Sequence, residues 1–467
     1  MPATPRSRIS RTVAGAAVGL AVAGALAACS SSSSSSAPVS TASSPSGSSA
    51  TASSGSGSTS SLAAALQTPT TLTWWAWAPQ DKQLVSAFEK LYPKVKVNLV
   101  NAGTSTTEYT KLQNAIKAGS GVPDIAQIEY YAIPQFALGG SLANLSSDGL
   151  GSDQSQFSPA VWDSVNDNGE LVGLPQDTGP MALFYNKTTF DKYGLTVPTT
   201  WAQYTADAKK LHAANPKDYI TADTGDPGFY TSMIWAAGGH PYVTSGTKNV
   251  TIDLADPGTQ KFVNLWSPLV SGGLVAPITP WGTQWYTGLA NGSIASLVTG
   301  GWMGVDLETG VAAASGDWRV APMPQFTAGA SADSENGGSS DAVLSASKNQ
   351  LAAAAFVQWI STGQGAQISA STGDFPASTA ILNSASWQDQ KQAYFGGQAI
   401  NQVLSKASSD VLPGWSYLPY QVYANSIFPA TVGQAYTGKS TVSAGLQAWQ
   451  QQSASYGTQQ GFSVTSK

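Results

Sequence analysis

Three tryptophans stand within four positions in the stretch TLTWWAWAP, which spans residues 71–79. An indole ring can cover the flat apolar face of a ligand such as a pyranose, whose hydroxyl groups stay at the rim for hydrogen bonding. Covering roughly 50 Å² of such a face contributes about 1.2 kcal/mol. In a strand, Trp75 and Trp77 share one face and Trp74 points to the other. Trp77 lies at the carboxyl end, where open α/β sheets bind ligands, so we predict that Trp77 contacts a ligand and that Trp74 or Trp75 belongs to the core.

The composition is rich in aromatic rings and poor in charge. The chain of 467 residues has 15 Trp and 17 Tyr, whereas charged residues make up only 10% of it. After residue 28 the single arginine is Arg319, and the histidines are His212 and His240. Nucleic-acid binders need basic patches, and proteins that recognise phosphate or carboxylate groups favour arginine. The composition therefore argues against nucleic acid and against strongly anionic ligands.

The sequence contains no motif that marks a catalytic or metal centre. The pattern GxSxG does not occur, and neither histidine has a partner at metal-ligand spacing. A glycoside hydrolase would need two carboxylates roughly 5–10 Å apart, and no local motif marks such a pair. The carboxylates that could supply it are Glu129, Asp177, Asp226 and Glu308. We expect a protein that is not an enzyme and that uses no cofactor and no metal, with the hydrolase kept as an alternative.

Alternating strand and helix patterns predict the elements that position these side chains. Residues 71–77, 95–100 and 123–131 have strand patterns, and helical stripes lie at 80–91 and around Tyr109. This β-α-β-α-β order predicts a mostly parallel sheet with helices on both faces.

A second unit of the same kind begins near residue 180. Its first helix covers residues 199–211, where Thr200 and Gln203 have the spacing of a capping box. Asp256 and Pro257 predict the N-cap and first residue of a later helix. We therefore expect two α/β lobes with more than one chain crossing between them.

The first 66 residues have the pattern of an export signal followed by a tether. Three arginines precede an uncharged apolar stretch that is short for a membrane span and typical of a signal peptide, predicted at 1–28. It ends in LAAC, which resembles the lipobox of bacterial lipoproteins, so Cys29 is predicted to carry the lipid. Cys29 is the only cysteine, which excludes an intrachain disulfide. Residues 29–66 are predicted to be the lipidated cysteine and a disordered, Ser-rich tether.

Nine segments in a fixed order carry a resemblance to a known family. They include TLTWWAWAP, AFEKLYPKVKVNLV, LVGLPQDTGPMALFYNK, NGSIASLVTGGW, NGGSSDAVLSAS and AAAAFVQWI. This order resembles the maltose-binding-protein-like, family 1 solute-binding proteins of bacterial ABC importers, from residue 71 to about residue 427. The resemblance implies an α/β fold of the two-lobe, type II periplasmic-binding-protein class, which closes on a sugar by hinge motion.

The same resemblance implies three hinge crossings, near residues 174–177, 322–336 and 372–376. From these crossings we predict that lobe 1 comprises residues 67–176 plus 330–372 and that lobe 2 comprises residues 177–329 plus 373–467.

The resemblance also implies where the ligand is held. At least one of Tyr130 and Tyr131 should face the cleft, and Asp177 could accept hydrogen bonds either from adjacent sugar hydroxyls or from hinge amides. The predicted ligand residues are Trp77, Tyr130, Tyr131, Asp177, Asp226, Phe229, Trp281, Trp302, Asn336, Gly337, Gly338 and Trp415.

The expected partners follow from the same family. The number of aromatic platforms favours a di- or oligosaccharide over a monosaccharide, with a polyamine or peptide ligand as the alternative. Because the chain has no P-loop, import would need membrane permease subunits and a separate ATPase. We expect a monomer that meets the membrane through its lipid anchor alone and binds no nucleic acid. An adhesion protein that displays aromatic rings without transport is a further alternative.

Overall fold

The computed structural model describes residues 61–467, so the predicted signal peptide and Cys29 lie outside the described residues. The helices are α1 (61–65), α2 (Asp81–Leu91), α3 (Thr106–Ala118), α4 (Ile133–Leu138), α5 (Pro159–Ser164), α6 (Lys187–Tyr193), α7 (Trp201–Ala214), α8 (Pro227–Ala236), α9 (Pro257–Ser271), α10 (Thr283–Asn291), α11 (Met303–Gly310), α12 (Gln350–Ser361), α13 (Gly363–Ser371), α14 (Thr379–Leu382), α15 (Ala385–Gln388), α16 (Ile400–Asp410), α17 (Gln421–Ile427) and α18 (Val442–Gln459). The strands are β1 (Thr70–Trp75), β2 (Val95–Val100), β3 (Ile125–Glu129), β4 (Asn166–Asp167), β5 (Glu170–Leu171), β6 (Leu174–Pro175), β7 (Met181–Asn186), β8 (Thr221–Ala222), β9 (Tyr242–Ser245), β10 (Asn249–Ile252), β11 (Val275–Ala276), β12 (Ser296–Gly300), β13 (Trp318–Pro322), β14 (Ser339–Val343) and β15 (Ser463–Ser466). Within residues 61–467, no helix combines the length and the apolar character that crossing a bilayer requires.

Lobe 1 is built on a five-stranded sheet in the order β2-β1-β3-β14-β6. Strands β2, β1 and β3 are parallel, whereas β14 runs antiparallel to both β3 and β6. The prediction of a mostly parallel sheet holds only for the first half, because β14 returns from the other lobe rather than through a local β-α-β turn. On one face Phe356 of α12 packs against Trp74 and Phe88, with ring centroids 5.2 and 4.6 Å apart.

Lobe 2 has a central sheet in the order β12-β7-β13, in which both pairs are antiparallel. Strands β8 and β11 form a separate parallel pair, and β15 adds in parallel to the β9–β10 hairpin. The prediction of a second parallel unit is therefore wrong for the central sheet. The long connection from β7 to β12 allows the chain to return in either direction, so element order alone does not fix strand direction.

Two helix starts in lobe 2 follow the sequence closely. The capping box at Thr200 and Gln203 is confirmed, because both of its reciprocal hydrogen bonds are present at the start of α7. Asp256 caps α9 and accepts hydrogen bonds from the amides of Gly258 and Thr259, at 3.0 and 3.4 Å. These caps satisfy amide groups that the first helical turn leaves without partners.

The folded part begins earlier than the predicted tether boundary at residue 66. Residues 61–65 form α1, and Leu62 and Leu66 are buried in the core of lobe 1. Leu62 and Leu66 are four residues apart, the spacing that places two side chains on one helix face. The prediction that the tether is disordered up to residue 66 is therefore wrong for residues 61–66, which belong to the folded part.

Three segments pass between the lobes side by side. They connect β6 to β7, β13 to β14 and α13 to α14. The amide of Asn336 in the second segment donates to the Gly179 carbonyl oxygen in the first, at 2.7 Å. The amide of Thr178 donates to the Phe375 carbonyl oxygen in the third segment, at 3.1 Å. The crossings are thus cross-linked by backbone hydrogen bonds, and side chains near them are held close to both lobes.

We expect Gly179→Ala to lower the free energy of unfolding by about 2 kcal/mol or more, because it forces two crossings apart. A Cβ at this position would lie 2.2 Å from the Asn336 carbonyl oxygen, which is backbone and cannot rotate away. Gly151→Ala is the matched control, because its added Cβ meets no atom within 4 Å. Urea denaturation of both variants measures the effect. Equal midpoints for the two variants would contradict this account of the crossings.

Candidate ligand-binding site

A cleft of about 780 Å³ lies between the lobes, beside the crossing segments. Lobe 1 contributes the loop after β1 and the end of β3, with Trp77 and Tyr131. Lobe 2 contributes the N-terminal ends of α8 and α11, with Asp226 and Trp302. The volume lies within the range of roughly 300–1,000 Å³ that small-molecule sites occupy. Both lobes therefore present side chains to one enclosed space.

The three tryptophans of the first strand have different environments. Trp74 is fully buried and its Nε1 donates to Asp341 Oδ1 at 2.8 Å, so its predicted place in the core is confirmed. Trp75 is half-buried and packs on the cluster on the other side of the sheet. Trp77 is half-buried and lines the cleft, and its amide donates to Gln127 Oε1 at 3.1 Å. The ring beyond the carboxyl end of β1 is the one that faces the cleft.

Nine of the twelve predicted ligand residues line this cleft. They are Trp77, Tyr131, Asp177, Asp226, Trp281, Trp302, Asn336, Gly337 and Gly338. Phe229 lies beside it, in a side pocket of about 70 Å³ that also borders on Trp281 and Trp302. From Trp77 to Gly338 these residues span more than 250 positions of the chain. The crossings between the lobes bring the distant ones together.

Trp281 and Trp302 form an aromatic wall in lobe 2. Their ring centroids are 5.8 Å apart, and Trp285 packs on Trp281 from the other side at 5.1 Å. The indole nitrogen of Trp302 donates to the Asn336 carbonyl oxygen at 2.6 Å. Trp302 is thus tied to the second crossing, while Trp281 is the most open of the three, with 51% of its surface exposed.

Trp281 also has a strained backbone, with φ at 66°. A bulky residue in this left-handed region costs of the order of 1–3 kcal/mol unless the surroundings offset it. We expect Trp281→Gly to weaken ligand binding about tenfold while leaving the protein as stable as before or more stable. Binding titration and thermal denaturation of the same variant measure the two effects. A loss of stability together with unchanged affinity would show that Trp281 serves the fold and not the ligand.

The loop at residues 336–338 lines the cleft between the two lobes. Gly337 and Gly338 have φ values of 80° and 90°, which side chains rarely adopt. A Cβ at Gly338 would also lie 2.6 Å from the ring of Tyr130. The Asn336 side chain donates from Nδ2 to Ser232 Oγ at 3.3 Å. Backbone and amide groups therefore approach the cleft closely here because no side chain intervenes.

Asp177 lies at the first crossing, at the base of the cleft. Its Oδ1 accepts hydrogen bonds from the Ser339 amide at 2.6 Å and from the Ser339 hydroxyl at 2.5 Å. The alternative that Asp177 binds hinge amides is thus confirmed for this oxygen. The side chain remains partly accessible from the cleft. Burial raises the pKa of the Asp177 carboxyl, and the bonds from Ser339 oppose that rise.

Glu129 and Tyr131 form the lobe 1 side of the cleft. The Tyr109 hydroxyl donates to Glu129 Oε2 at 2.9 Å, and the hydroxyls of Ser105 and Tyr131 are 2.7 Å apart. Burial raises the pKa of Glu129 to about 7, and hydrogen bonds from the neighbouring hydroxyls oppose the rise. Burial and the neighbouring hydroxyls thus act on the pKa of Glu129 in opposite directions, and the effect of burial is the larger.

Asp226 begins α8 and is exposed to the cleft. Its Oδ1 accepts a hydrogen bond from the Gly228 amide at 2.8 Å, which caps the helix. The residue is exposed at the cleft surface, but many protein atoms lie close to its carboxylate. The partial loss of hydration that they cause raises the pKa of Asp226. The residue thus combines a structural cap with an acceptor that faces the ligand space.

Comparison with known proteins places the chain in a family. The family described as bacterial extracellular solute-binding protein matches residues 69–367, well over half of the chain. The chain belongs to this family. Its members bind solutes, so the chain is a binding protein and not an enzyme.

Several known binding proteins are similar to this chain in structure or in sequence. The ABC-transporter-associated binding protein from B. animalis subsp. lactis Bl-04, in complex with beta-1,6-galactobiose, is 43% identical, with a TM-score of 0.78 over 85% of this chain and 99% of that one. The galacto-N-biose-/lacto-N-biose I-binding protein from Bifidobacterium longum, in complex with lacto-N-biose, is 25% identical, with a TM-score of 0.75 over 85% of this chain and 98% of that one. The lactose-binding protein of Rhizobium radiobacter is 25% identical over 62% of this chain and 70% of its own length. The predicted two-lobe, type II fold is thereby confirmed.

Besides Phe229 in the side pocket, two predicted ligand residues of this solute-binding protein lie outside the cleft. Tyr130 is buried, and its hydroxyl donates to the Asp177 carbonyl oxygen at 2.8 Å, which fixes the first crossing. Trp415 stacks on Trp235 in the core of lobe 2, with ring centroids 5.3 Å apart and planes 6° apart. Both predictions of cleft contact are corrected, because packing against the core occupies the ring faces.

Several cleft residues were not predicted from the sequence. Tyr417, two positions after Trp415, lines the cleft and packs edge-to-face on Tyr131, with ring centroids 6.4 Å apart. Gln80 and Asp374 also line it, and Gln80 Nε2 donates to Asp374 Oδ2 at 2.7 Å. Asp374 lies in the predicted third crossing, so its charge in an otherwise uncharged segment was an available signal.

Proposed function

We propose that this chain is the extracellular receptor of a bacterial ABC importer and that it captures a di- or oligosaccharide in the cleft between its lobes. The observation that carries the proposal is one cleft that holds both aromatic rings and carboxylates from the two lobes. Aromatic rings cover the apolar faces of sugar rings, and carboxylates accept hydrogen bonds from hydroxyls. The similar binding proteins in complex with beta-1,6-galactobiose and lacto-N-biose support a disaccharide or longer ligand.

Ligand binding on this proposal orders the two lobes around the sugar. Trp77 and Tyr131 would contact one side of the ligand, and Trp281 and Trp302 the other. The closed form would then dock on membrane permease subunits, and a separate ATPase would power import. We propose that the receptor acts as a monomer and delivers one ligand at each docking.

We further propose that Cys29 anchors the receptor by lipid to the outer face of the cell membrane. The support is the LAAC segment after an export signal and the uncharged, Ser-rich stretch that follows it. Two or more acyl chains hold a protein stably at a bilayer, whereas one chain does so marginally. Expression of Cys29→Ser in a bacterial host with lipoprotein processing tests this proposal. Release of the variant into the medium is expected, and retention on the membrane would contradict the anchor.

A thermal-shift screen of residues 30–467 tests the ligand. The panel contains mono-, di- and oligosaccharides, with amino acids, short peptides and spermidine as controls. A ligand at 100 times its Kd adds about 2.7 kcal/mol of stability, which corresponds to roughly 3 °C for a folded part of this size. A shift with one saccharide series would support the proposal and identify the ligand. A shift with a control alone would overturn the sugar ligand and leave the solute-binding fold in place.

Spermidine tests the alternative that the cleft binds a polyamine. Polyamine capture requires several acidic groups around one pocket, and five carboxylates line this cleft. We therefore keep a polyamine as the second candidate ligand. A spermidine shift larger than that of every saccharide would favour it.

A further inference from the structure

Acidic side chains line the cleft on both walls and at the base. These carboxylates are Glu129, Asp177, Asp226, Asp306 and Asp374. Each is partly or fully accessible to solvent. Among the described residues that line this cleft there is no Lys, Arg or His. A ligand in the cleft therefore meets carboxylates without a cation to balance them.

The basic side chains of Lys111 and Arg319 are directed to backbone carbonyl oxygens and not to the cleft carboxylates. Lys111 Nζ donates to the Ala102 carbonyl oxygen at 2.5 Å, and Arg319 Nη1 donates to the Gly316 carbonyl oxygen at 2.7 Å. Residues 61–467 contain four ion pairs, and none of these includes a cleft carboxylate. No described cation therefore pairs with a cleft carboxylate, although burial raises the pKa of all five carboxyls and keeps each protonated to a higher pH than a free carboxyl.

Several hydrogen-bond donors of the cleft are occupied, and four of its five carboxylates also accept a hydrogen bond from the protein. The Trp302 Nε1 donates to the Asn336 carbonyl oxygen, and Gln127 Nε2 donates to a neighbouring hydroxyl at 2.9 Å. Asp226 uses one oxygen to cap α8 and stays exposed. Asp306, on α11, receives no hydrogen bond at its side chain from any described residue. The cleft therefore offers acceptors to a ligand that brings donors.

We propose that this cleft selects saccharides by charge, admitting neutral or amino-bearing sugars and rejecting those with a carboxylate, and that Asp226 and Asp306 set this preference. The inference rests on the proposed function and narrows its ligand class. Hydroxyl and ammonium groups donate hydrogen bonds to these carboxylates, whereas the carboxylate of a uronic acid only accepts and brings a further negative charge. Like charges brought together in a partly desolvated site discriminate against the wrong ligand.

Three disaccharides that differ in the charge of one substituent of the non-reducing sugar test this preference on residues 30–467. They are β-1,6-galactobiose, its analogue with galacturonic acid at the non-reducing end, and its analogue with a 2-amino-2-deoxy sugar there. Calorimetric titration at 20 mM NaCl should give a Kd for the acidic analogue at least about tenfold weaker than for the neutral parent. The amino analogue should bind at least as tightly as the parent. The acidic penalty should shrink at 1 M NaCl, because salt screens charge.

Variants assign the effect to particular side chains. In Asp226→Asn and Asp306→Asn the ratio of the acidic to the neutral Kd should fall, and it should fall further in the double variant. Glu308→Gln is the matched control, because Glu308 is exposed on the same helix α11 but does not line this cleft. The ratio should stay at its original value in that control.

The possible outcomes separate this inference from the proposed function. Equal affinity for the acidic and neutral disaccharides at low salt would overturn the charge preference and leave a sugar receptor in place. Binding of the amino analogue without binding of the neutral parent would overturn the neutral-sugar receptor and keep the charge preference. A ratio that falls equally in Glu308→Gln would show that net charge, rather than Asp226 and Asp306, sets the selectivity.

Discussion

Replacing Trp302 with alanine should weaken oligosaccharide binding roughly fifty-fold. The ring lines the main cleft and the side pocket, so its loss removes about 1.2 kcal/mol of apolar contact. Its indole nitrogen also holds the Asn336 carbonyl oxygen at 2.6 Å, and we expect displacement of the loop at residues 336–338, once this hydrogen bond is lost, to cost a further amount of about 1 kcal/mol in binding. The two contributions together correspond to the expected change in Kd. Calorimetric titration with the saccharide found in the screen measures it.

Two further variants separate the contributions. Trp302→Phe keeps an aromatic ring and removes the hydrogen bond, so it should lose about fivefold. Trp359→Ala is the matched control, because Trp359 is half-buried in lobe 1 and packs on Phe88 and Phe356 away from the cleft. It should lower stability and leave Kd unchanged. Comparable loss of affinity in Trp359→Ala and Trp302→Ala would show that general destabilisation, and not ligand contact, accounts for the effect.

The protein should also lose stability as the pH rises from 5.5 to 8. Burial raises the pKa of several carboxyls in lobe 1 and the crossings: Asp81 to about 9, Glu108 to about 8, and Glu129, Glu335 and Asp341 to about 7. The unfolded chain releases these protons near pH 4, so above that pH the folded chain binds more protons than the unfolded one. The free energy of unfolding then falls as the pH rises, until the folded-state pKa values are passed.

One such group that titrates at about 7 in the folded chain contributes about 1.4 kcal/mol per pH unit below that value. We therefore expect the free energy of unfolding to be at least about 2 kcal/mol lower at pH 8 than at pH 5.5. Urea denaturation at the two pH values measures the difference. Stability that stays level or increases over this range would contradict the burial of protonated carboxyls.

Asp81 offers a variant that isolates this effect. It is 1% exposed, and neither of its carboxylate oxygens has a hydrogen-bond partner among residues 61–467. Asp81→Asn cannot ionise, so it should gain stability at pH 8 relative to the parent and flatten the profile. Glu170→Gln, at an exposed position, is the control and should keep the original pH dependence.

The order of motifs predicted the fold class but not the strand directions. Alternation along the chain reports which segments are strands, and it found β1, β2 and β3 in their parallel order. The antiparallel placement of β14 depends on where the chain re-enters lobe 1 after more than 150 residues in the other lobe. Local patterns carry no record of that return, because strand direction in a sheet is a long-range property.

The aromatic residues show where local reasoning about the cleft ends. Strand parity put Trp74 and Trp75 on opposite faces and left open which of them is core, and the end of the strand placed Trp77 at the ligand side; in the structure Trp74 is the fully buried ring. The alternation of side chains along a strand gives no guide to Tyr130 and Tyr131. Strand β3 ends at Glu129, and the chain continues as a 3₁₀ turn. Trp415 was assigned to the cleft from its place in the C-terminal region of a family member, and its stacking on Trp235 depends on a contact 180 positions away.

The carboxylates illustrate the same limit in another form. The family resemblance implied ligand contacts for Asp177 and Asp226, and both line the cleft. Asp306 and Asp374 line it equally, but one sits within an ordinary helix and the other in a short connection. Their proximity to the other acids arises from the three crossings and not from any spacing along the chain.

The most direct test is a crystal structure of residues 30–467 with the saccharide that gives the largest thermal shift. We predict that the ligand lies between the lobes and contacts both of them. One sugar ring should lie against Trp302, and hydroxyl groups should lie within hydrogen-bond distance of Asp226 or Asp177. A saccharide held by one lobe alone, or bound outside this cleft, would contradict the account.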